Sequence, residues 1–157
     1  MIIAIIAIAN NFAIGKDGKL PWHHPADLKF FKENTTGNAV VMGFHTWQSI
    51  GKPLPKRLNI VLSRRATLEN SSGVLLLRSK EEVLALAGFL KGDLYIIGGA
   101  QTYAAFADVI EKWFVTEVPV EIADADAFMP ENFLEDFRLI DKMDLGNDLV
   151  VKAYQRS

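Results

Sequence analysis

The chain has 157 residues, a formal net charge of −2, 50% hydrophobic and 23% charged residues, and no cysteine. That composition excludes a disordered segment, disulfides and thiolate chemistry. The near-neutral charge gives no electrostatic ground for nucleic acid or an anionic membrane as partner. One domain over residues 1–157 is expected, with a proper core and a reducing cytoplasm as its natural compartment.

Residues 1–9 are a continuous apolar run of Ile and Ala, as in a strand covered on both faces. The run has no basic leader, and Asn10-Asn11 interrupt it far short of a membrane span. Residues 10–24 carry Gly15 and the turn signal Asp17-Gly18 and read as a long loop with little regular structure. Loops of that length are either plain surface or lids, and this one leads straight into the next helix. That helix is expected over 25–34, with Pro25 at its first position, where a missing N–H is harmless. Lys29, Lys32 and Glu33 share its water side. Asp27 instead stands three and four residues before Phe30 and Phe31, on the apolar side. It is either a first-turn acid suited to the helix dipole or a carboxylate aimed into a cleft.

Strands follow at 39–42, 58–62 and 74–77, with a short helix after Gly43 through Thr46 and Trp47. Ser79 caps a helix running to about residue 86. A strand at 93–97 breaks at Gly98-Gly99 before a helix over 101–107, and a strand at 112–118 comes next. Strands near 137–141 and 149–154 close the chain. This alternation predicts an α/β fold with a mostly parallel central sheet, helices on both faces and an antiparallel C-terminal edge strand.

In such sheets ligands bind beyond the carboxyl ends of the strands. Three ends here suit phosphate: Gly43 with His45 and Thr46, Ser63-Arg64-Arg65, and Gly98-Gly99 with Gln101 and Thr102. Alone, a Gly-Gly pair is more often just a turn and an Arg pair more often a solvated surface. Together they suit a pyrophosphate plus one further phosphate, as in NADP. No G-x-G-x-x-G follows the first strand, and no G-x-x-x-x-G-K-S/T occurs. The two prolines of Pro53-Leu54-Pro55 make a rigid turn ahead of Arg57, which is either exposed or poised for a carboxylate. Adjacent His23 and His24, and the pair Asp124 and Asp126, lack metal-ligand spacing, so no metal is expected.

The set Leu20-Pro21-Trp22, Pro25-Ala26-Asp27-Leu28, Val41-Met42-Gly43, His45-Thr46-Trp47, Ser49-Ile50-Gly51, Asn59-Ile60-Val61-Leu62-Ser63-Arg64 and Ile96-Ile97-Gly98-Gly99 with Tyr103 resembles dihydrofolate reductase. It spans nearly the whole chain in the family's order. The resemblance implies NADPH-dependent reduction of 7,8-dihydrofolate to tetrahydrofolate, in support of one-carbon and thymidylate metabolism. Hydride passes to C6 and a proton to N5. By resemblance, Asp27 is the pterin-binding carboxylate, helped by Thr116 and Trp22, with Leu20 on the lid and Tyr103 beside the nicotinamide. Ile5, Ala7, Leu28, Phe31, Ile50, Leu54, Arg57 and Ile97 complete the substrate pocket, Arg57 taking the glutamate carboxylate. Ala7, Ile14, Gly43, His45, Thr46, Leu62, Ser63, Arg64, Gly98, Gly99, Ala100, Gln101 and Thr102 hold NADPH. Asp126 lies on a later acidic loop that steadies the lid. Phe44 stands where many relatives place a basic residue near the extra phosphate, and Arg64 offers a charge from the next strand end. Antifolate inhibitors are further expected ligands, and a monomer is expected. Two other readings are a pyrimidine reductase of riboflavin synthesis, also NADPH-dependent, and a nucleotide-binding module without catalysis.

Overall fold

The computed structural model describes residues 1–17, 19, 20, 22–68 and 73–157. Gly18 of the Asp17-Gly18 turn signal and Pro21 of the Leu20-Pro21-Trp22 motif lie outside the described residues. In chain order the elements are β1 (Ile2–Ala9), β2 (Ala13–Gly15), α1 (Pro25–Thr35), β3 (Ala39–Gly43), α2 (Phe44–Ile50), β4 (Leu58–Leu62) and β5 (Val74–Leu77). They continue with α3 (Lys80–Ala87), β6 (Leu94–Ile96), α4 (Ala100–Phe106), β7 (Lys112–Val118), β8 (Ala127–Phe128), β9 (Phe137–Gly146) and β10 (Leu149–Arg156).

Eight strands form one sheet in the order β5-β4-β3-β6-β1-β7-β10-β9. All neighbours from β5 to β7 are parallel, and β10 and β9 are added antiparallel. The α/β reading holds, with the antiparallel finish made of two strands. β1 and β3 are apolar throughout because both faces are covered. On one face Val83 of α3 and Tyr103 and Phe106 of α4 pack with Ile6, Ile8, Val41 and Ile60. On the other, Phe30 and Phe31 of α1 and Trp47 and Ile50 of α2 cover Ile3, Ile5, Val40, Met42 and Val61.

The register positions the cleft. β1 pairs with β6 only from Ile2↔Leu94 to Ala4↔Ile96, whereas its pairing with β7 runs on to Ala9↔Val118. Beyond Ala4 the sheet therefore opens between β1 and β6. Ile97 turns to the other side, its N–H donating to the Val41 carbonyl at 3.0 Å.

Two expectations need correction. The loop 10–24 is not free of regular structure: β2 pairs with β8, Ala13 opposite Phe128 and Gly15 opposite Ala127. Three residues are too few for a periodic signal, and the partner is more than a hundred residues away. The strand expected over 137–141 runs to Gly146. A two-residue turn at Asn147 and Asp148, both left-handed (φ 54° and 63°), lets pairing with β10 continue to the end.

Candidate active site

A cleft of about 1740 Å³ lies along the carboxyl ends of β1, β3, β4 and β6. Three features were expected of its walls: a carboxylate from α1, an Arg held by a turn, and glycine-marked strand ends.

The carboxylate is Asp27. Pro25 opens α1, and the Asp27 N–H already donates to the His24 carbonyl at 3.0 Å. Its side chain lines the cleft with Leu28, Phe31 and Lys32, one helical face. Burial pushes the Asp27 carboxyl above its ordinary value; a hydrogen bond from the Thr116 hydroxyl and the nearby His24 pull the other way. A carboxylate partly removed from water is not the solvated capping acid of the plainer reading. Leu28 also lines the cleft, though it remains 47% exposed.

Thr116 and Trp22 stand behind the wall and not on it. Thr116 is 2% exposed on β7, opposite Ala7 of β1. The Trp22 indole N–H is buried and has no hydrogen-bond partner in the protein. Tyr103 is 4% exposed and its hydroxyl donates to the Ile5 carbonyl at 2.7 Å. Burial, with Asp27 adding to it, drives the Tyr103 phenol far above its ordinary value, so it stays neutral.

Arg57 lines the cleft at the α1 side. Its Nε donates to the Pro55 carbonyl at 2.9 Å and its Nη1 to Thr35 Oγ1 at 3.0 Å, with the guanidinium 5.9 Å from the Phe31 ring centroid. Burial lowers the Arg57 pKa from its ordinary value, and the guanidinium stays charged. The prolines are not alone in fixing this turn. Asn59, 1% exposed, accepts from the Leu54 N–H at 2.8 Å and donates to the Leu54 and Arg57 carbonyls at 2.9 and 3.0 Å. A polar residue inside the apolar run Leu58-Asn59-Ile60-Val61-Leu62 was the available signal. Among the described residues Arg57 has no carboxylate partner, so a charge-assisted site for an acid is left on it.

The glycine-marked ends meet where β3 and β6 lie side by side. The Gly43 N–H donates to the Gly98 carbonyl at 2.9 Å. A Cβ at Gly43 would stand 2.8 Å from Thr102 Oγ1, and Gly98 has φ +119° with Tyr103 against it. Only glycines let the starts of α2 and α4 come this close. Around them the lining includes His45, Thr46, Leu62, Ser63, Arg64, Gly99, Ala100, Gln101 and Thr102, with Ala7 and Ile14 across the opening. Main-chain N–H groups, hydroxyls and a guanidinium along one edge fit a dinucleotide phosphate chain.

Ile5, Ile50, Leu54 and Ile97 complete the apolar end, and Leu20 closes it at 46% exposure. β2 is tied to the later acidic loop: the Asp17 N–H donates to Asp126 at 2.9 Å, the Asp126 N–H to the Gly15 carbonyl at 3.1 Å, and Lys16 pairs with Asp124. Several lining residues were not expected from the sequence, among them His23, Ser49, Arg78, Ser79, Lys80, Glu81 and Phe128. Arg78 follows β5 directly, so extending the strand-end rule to that strand finds it. Phe128 is brought in by β8, which left no signal. Among the described residues no three His, Asp or Glu gather as metal ligands.

The family model described as dihydrofolate reductase matches residues 1–155. The chain belongs to the dihydrofolate reductase family. It is 39% identical over 137 residues to dihydrofolate reductase of Haemophilus influenzae, covering 86% of this chain and 82% of that one. It is 40% identical over 132 residues to dihydrofolate reductase type 3 of Salmonella typhimurium, with 83% and 80% covered. Dihydrofolate reductase from Enterococcus faecalis, complexed with NADP(H) and RAB-propyl, superposes with a TM-score of 0.91 at 34% identity, over 100% of this chain and 96% of that one. Membership in the dihydrofolate reductase family sets aside the pyrimidine reductase and the non-catalytic module.

Proposed function

We propose that this cleft reduces 7,8-dihydrofolate to 5,6,7,8-tetrahydrofolate with NADPH, using Asp27 to hold the pterin. The observation that carries the reading is the partly buried Asp27 carboxylate on the same wall as a guanidinium that lacks an acid. In this reading Asp27 receives the pterin 2-amino group and N3. Ionised in a water-poor site, it favours the protonated ring far more than it would in water. Thr116 orients the carboxylate from behind, and the free Trp22 N–H supports a water beside it. The proton for N5 comes from water admitted by the lid.

Ile5, Leu28, Phe31, Ile50 and Leu54 sandwich the substrate's apolar middle, Arg57 binds the glutamate carboxylate, and Ile97 offers its carbonyl near the pterin 4-position. Gly43, His45, Thr46, Ser63, Arg64 and Gly98 to Thr102 cradle the dinucleotide, and Ala7 and Ile14 meet its nicotinamide end beside Tyr103. When bound, that group supplies the hydride for C6. The chain's own part is alignment, exclusion of water by Leu20 and its loop, and a fixed charge at the pterin.

A single chain carries every group used here, which supports a monomer. The cysteine-free composition suits a reducing cytoplasm, and no helix among the described residues is long and apolar enough to cross a membrane. The test is loss of reduced-nicotinamide absorbance on mixing NADPH, dihydrofolate and the protein. Turnover with dihydrofolate supports the reading; binding of NADPH without turnover contradicts it.

A further inference from the structure

Trp113 is buried on β7, opposite Ala4 of β1, and does not line the cleft. Its indole packs against Tyr103 of α4, with ring centroids 5.4 Å apart and planes at 41°. Two further rings meet it edge-on, Phe133 at 5.1 Å and Phe137 at 6.4 Å. At these separations and tilts aromatic rings attract and hold one another. The indole is the centre of the cluster, and Tyr103 is its member at the cleft.

Space filling alone does not account for a Trp here. The Trp113 indole N–H is buried and has no hydrogen-bond partner among the described residues. Leu or Phe would occupy apolar space without burying an unpaired donor. What the indole supports is a side chain with two commitments at the cleft. The Tyr103 hydroxyl donates to the Ile5 carbonyl at 2.7 Å, and a Cβ at Gly98 would stand 3.5 Å from the Tyr103 ring and hydroxyl. A smaller side chain at 113 would leave a void beside that ring. A ring that moves into the void gives up its hold on Ile5 and its place against Gly98.

We propose that Trp113 is a positioning residue for hydride transfer: its indole braces the Tyr103 ring from the core, so that Tyr103, the Ile5 carbonyl and Gly98 hold the nicotinamide end of the cleft in shape. The inference rests on the reading above that this end takes the nicotinamide. Trp113 touches neither substrate nor cofactor and acts through Tyr103.

The test follows hydride transfer in a single turnover at saturating NADPH and dihydrofolate. Titration with 2′,5′-ADP reports the far half of the cofactor site. The proteins are the parent, W113F, W113L, W113M, Y103L and the W113L/Y103L double variant. W113L and W113M slow hydride transfer by about tenfold to a hundredfold, the range for a reacting pair misplaced by up to about 1 Å, with KM for dihydrofolate and 2′,5′-ADP binding within about twofold. W113F keeps a ring against Tyr103 and stays within about threefold of the parent rate. Because Trp113 works through Tyr103, the double variant is no slower than Y103L. Parent rates in W113L and W113M overturn the inference. So does a W113F as slow as W113L, or a loss of equal size with and without the Tyr103 ring. A raised KM at unchanged rate, or loss of 2′,5′-ADP binding in both W113L and W113M, makes Trp113 a core residue only and overturns it as well. A parent that binds 2′,5′-ADP without reducing dihydrofolate overturns the reading beneath it, and the inference with it.

Discussion

Asp27 shows how one side chain is held against its own stability. Its carboxyl is pushed above the ordinary value, mainly by burial. An acid raised in the folded state favours folding below its unfolded value, and that advantage is lost as pH rises through the folded value. At neutral pH the ionised, partly buried group is therefore a cost in the free protein. Asp27→Asn should melt higher than the parent at pH 7, with the difference closing in acid as the parent's carboxyl protonates. A lower melting temperature for the variant at pH 7 contradicts this account of Asp27. Arg57 makes the opposite case, a group whose proposed role is uniform binding. Replacing it with Met should raise KM for dihydrofolate by about tenfold to a hundredfold, the range for a lost charge-assisted bond, with kcat nearly unchanged. A fall in kcat with constant KM would place Arg57 in the chemistry instead. Both residues were legible as candidates from their setting: Asp27 on the apolar side of its helix, Arg57 behind two prolines. Of their partners, Thr116 was reached only through the family resemblance and Asn59 not at all, because both are polar residues inside strands and only the fold says what they face.

At the scale of elements, the starts of α2 and α4 are brought together by glycines at the ends of β3 and β6. Gly43→Ala puts a methyl 2.8 Å from Thr102 Oγ1, which sits on a short, buried side chain with little room to yield. The substitution should destabilise the protein by about 1–3 kcal/mol in urea titration and weaken NADPH binding in the same variant. Unchanged stability would mean that α4 has space to retreat. The glycines and their helices stood out in the sequence because each follows a run of buried strand residues. The lid did not. β2 and β8 are three and two residues long, and their pairing joins parts of the chain that no local pattern links. The same limit hid Phe128, which enters the cleft only because β8 pairs there. The long β9 was understated because its charges, Arg138, Asp141, Lys142 and Asp144, alternate poorly with its apolar residues on an exposed edge.

For the whole molecule, the parallel sheet and the two covered faces were readable from strand and helix alternation. The opening between β1 and β6 was not, since it depends on where one pairing stops and another continues. That opening sets Asp27, Arg57 and the glycine-marked ends around one cleft, and dihydrofolate reductase chemistry follows from their arrangement. The most direct test is the pH profile of NADPH-dependent dihydrofolate reduction in the parent and in Asp27→Asn. The parent should turn over rapidly, and the variant should lose at least about a hundredfold near neutral pH. The loss should shrink in acid, where the substrate arrives already protonated. A variant that keeps the parent's rate at neutral pH, or a deficit that stays constant across pH, would contradict the role given to Asp27.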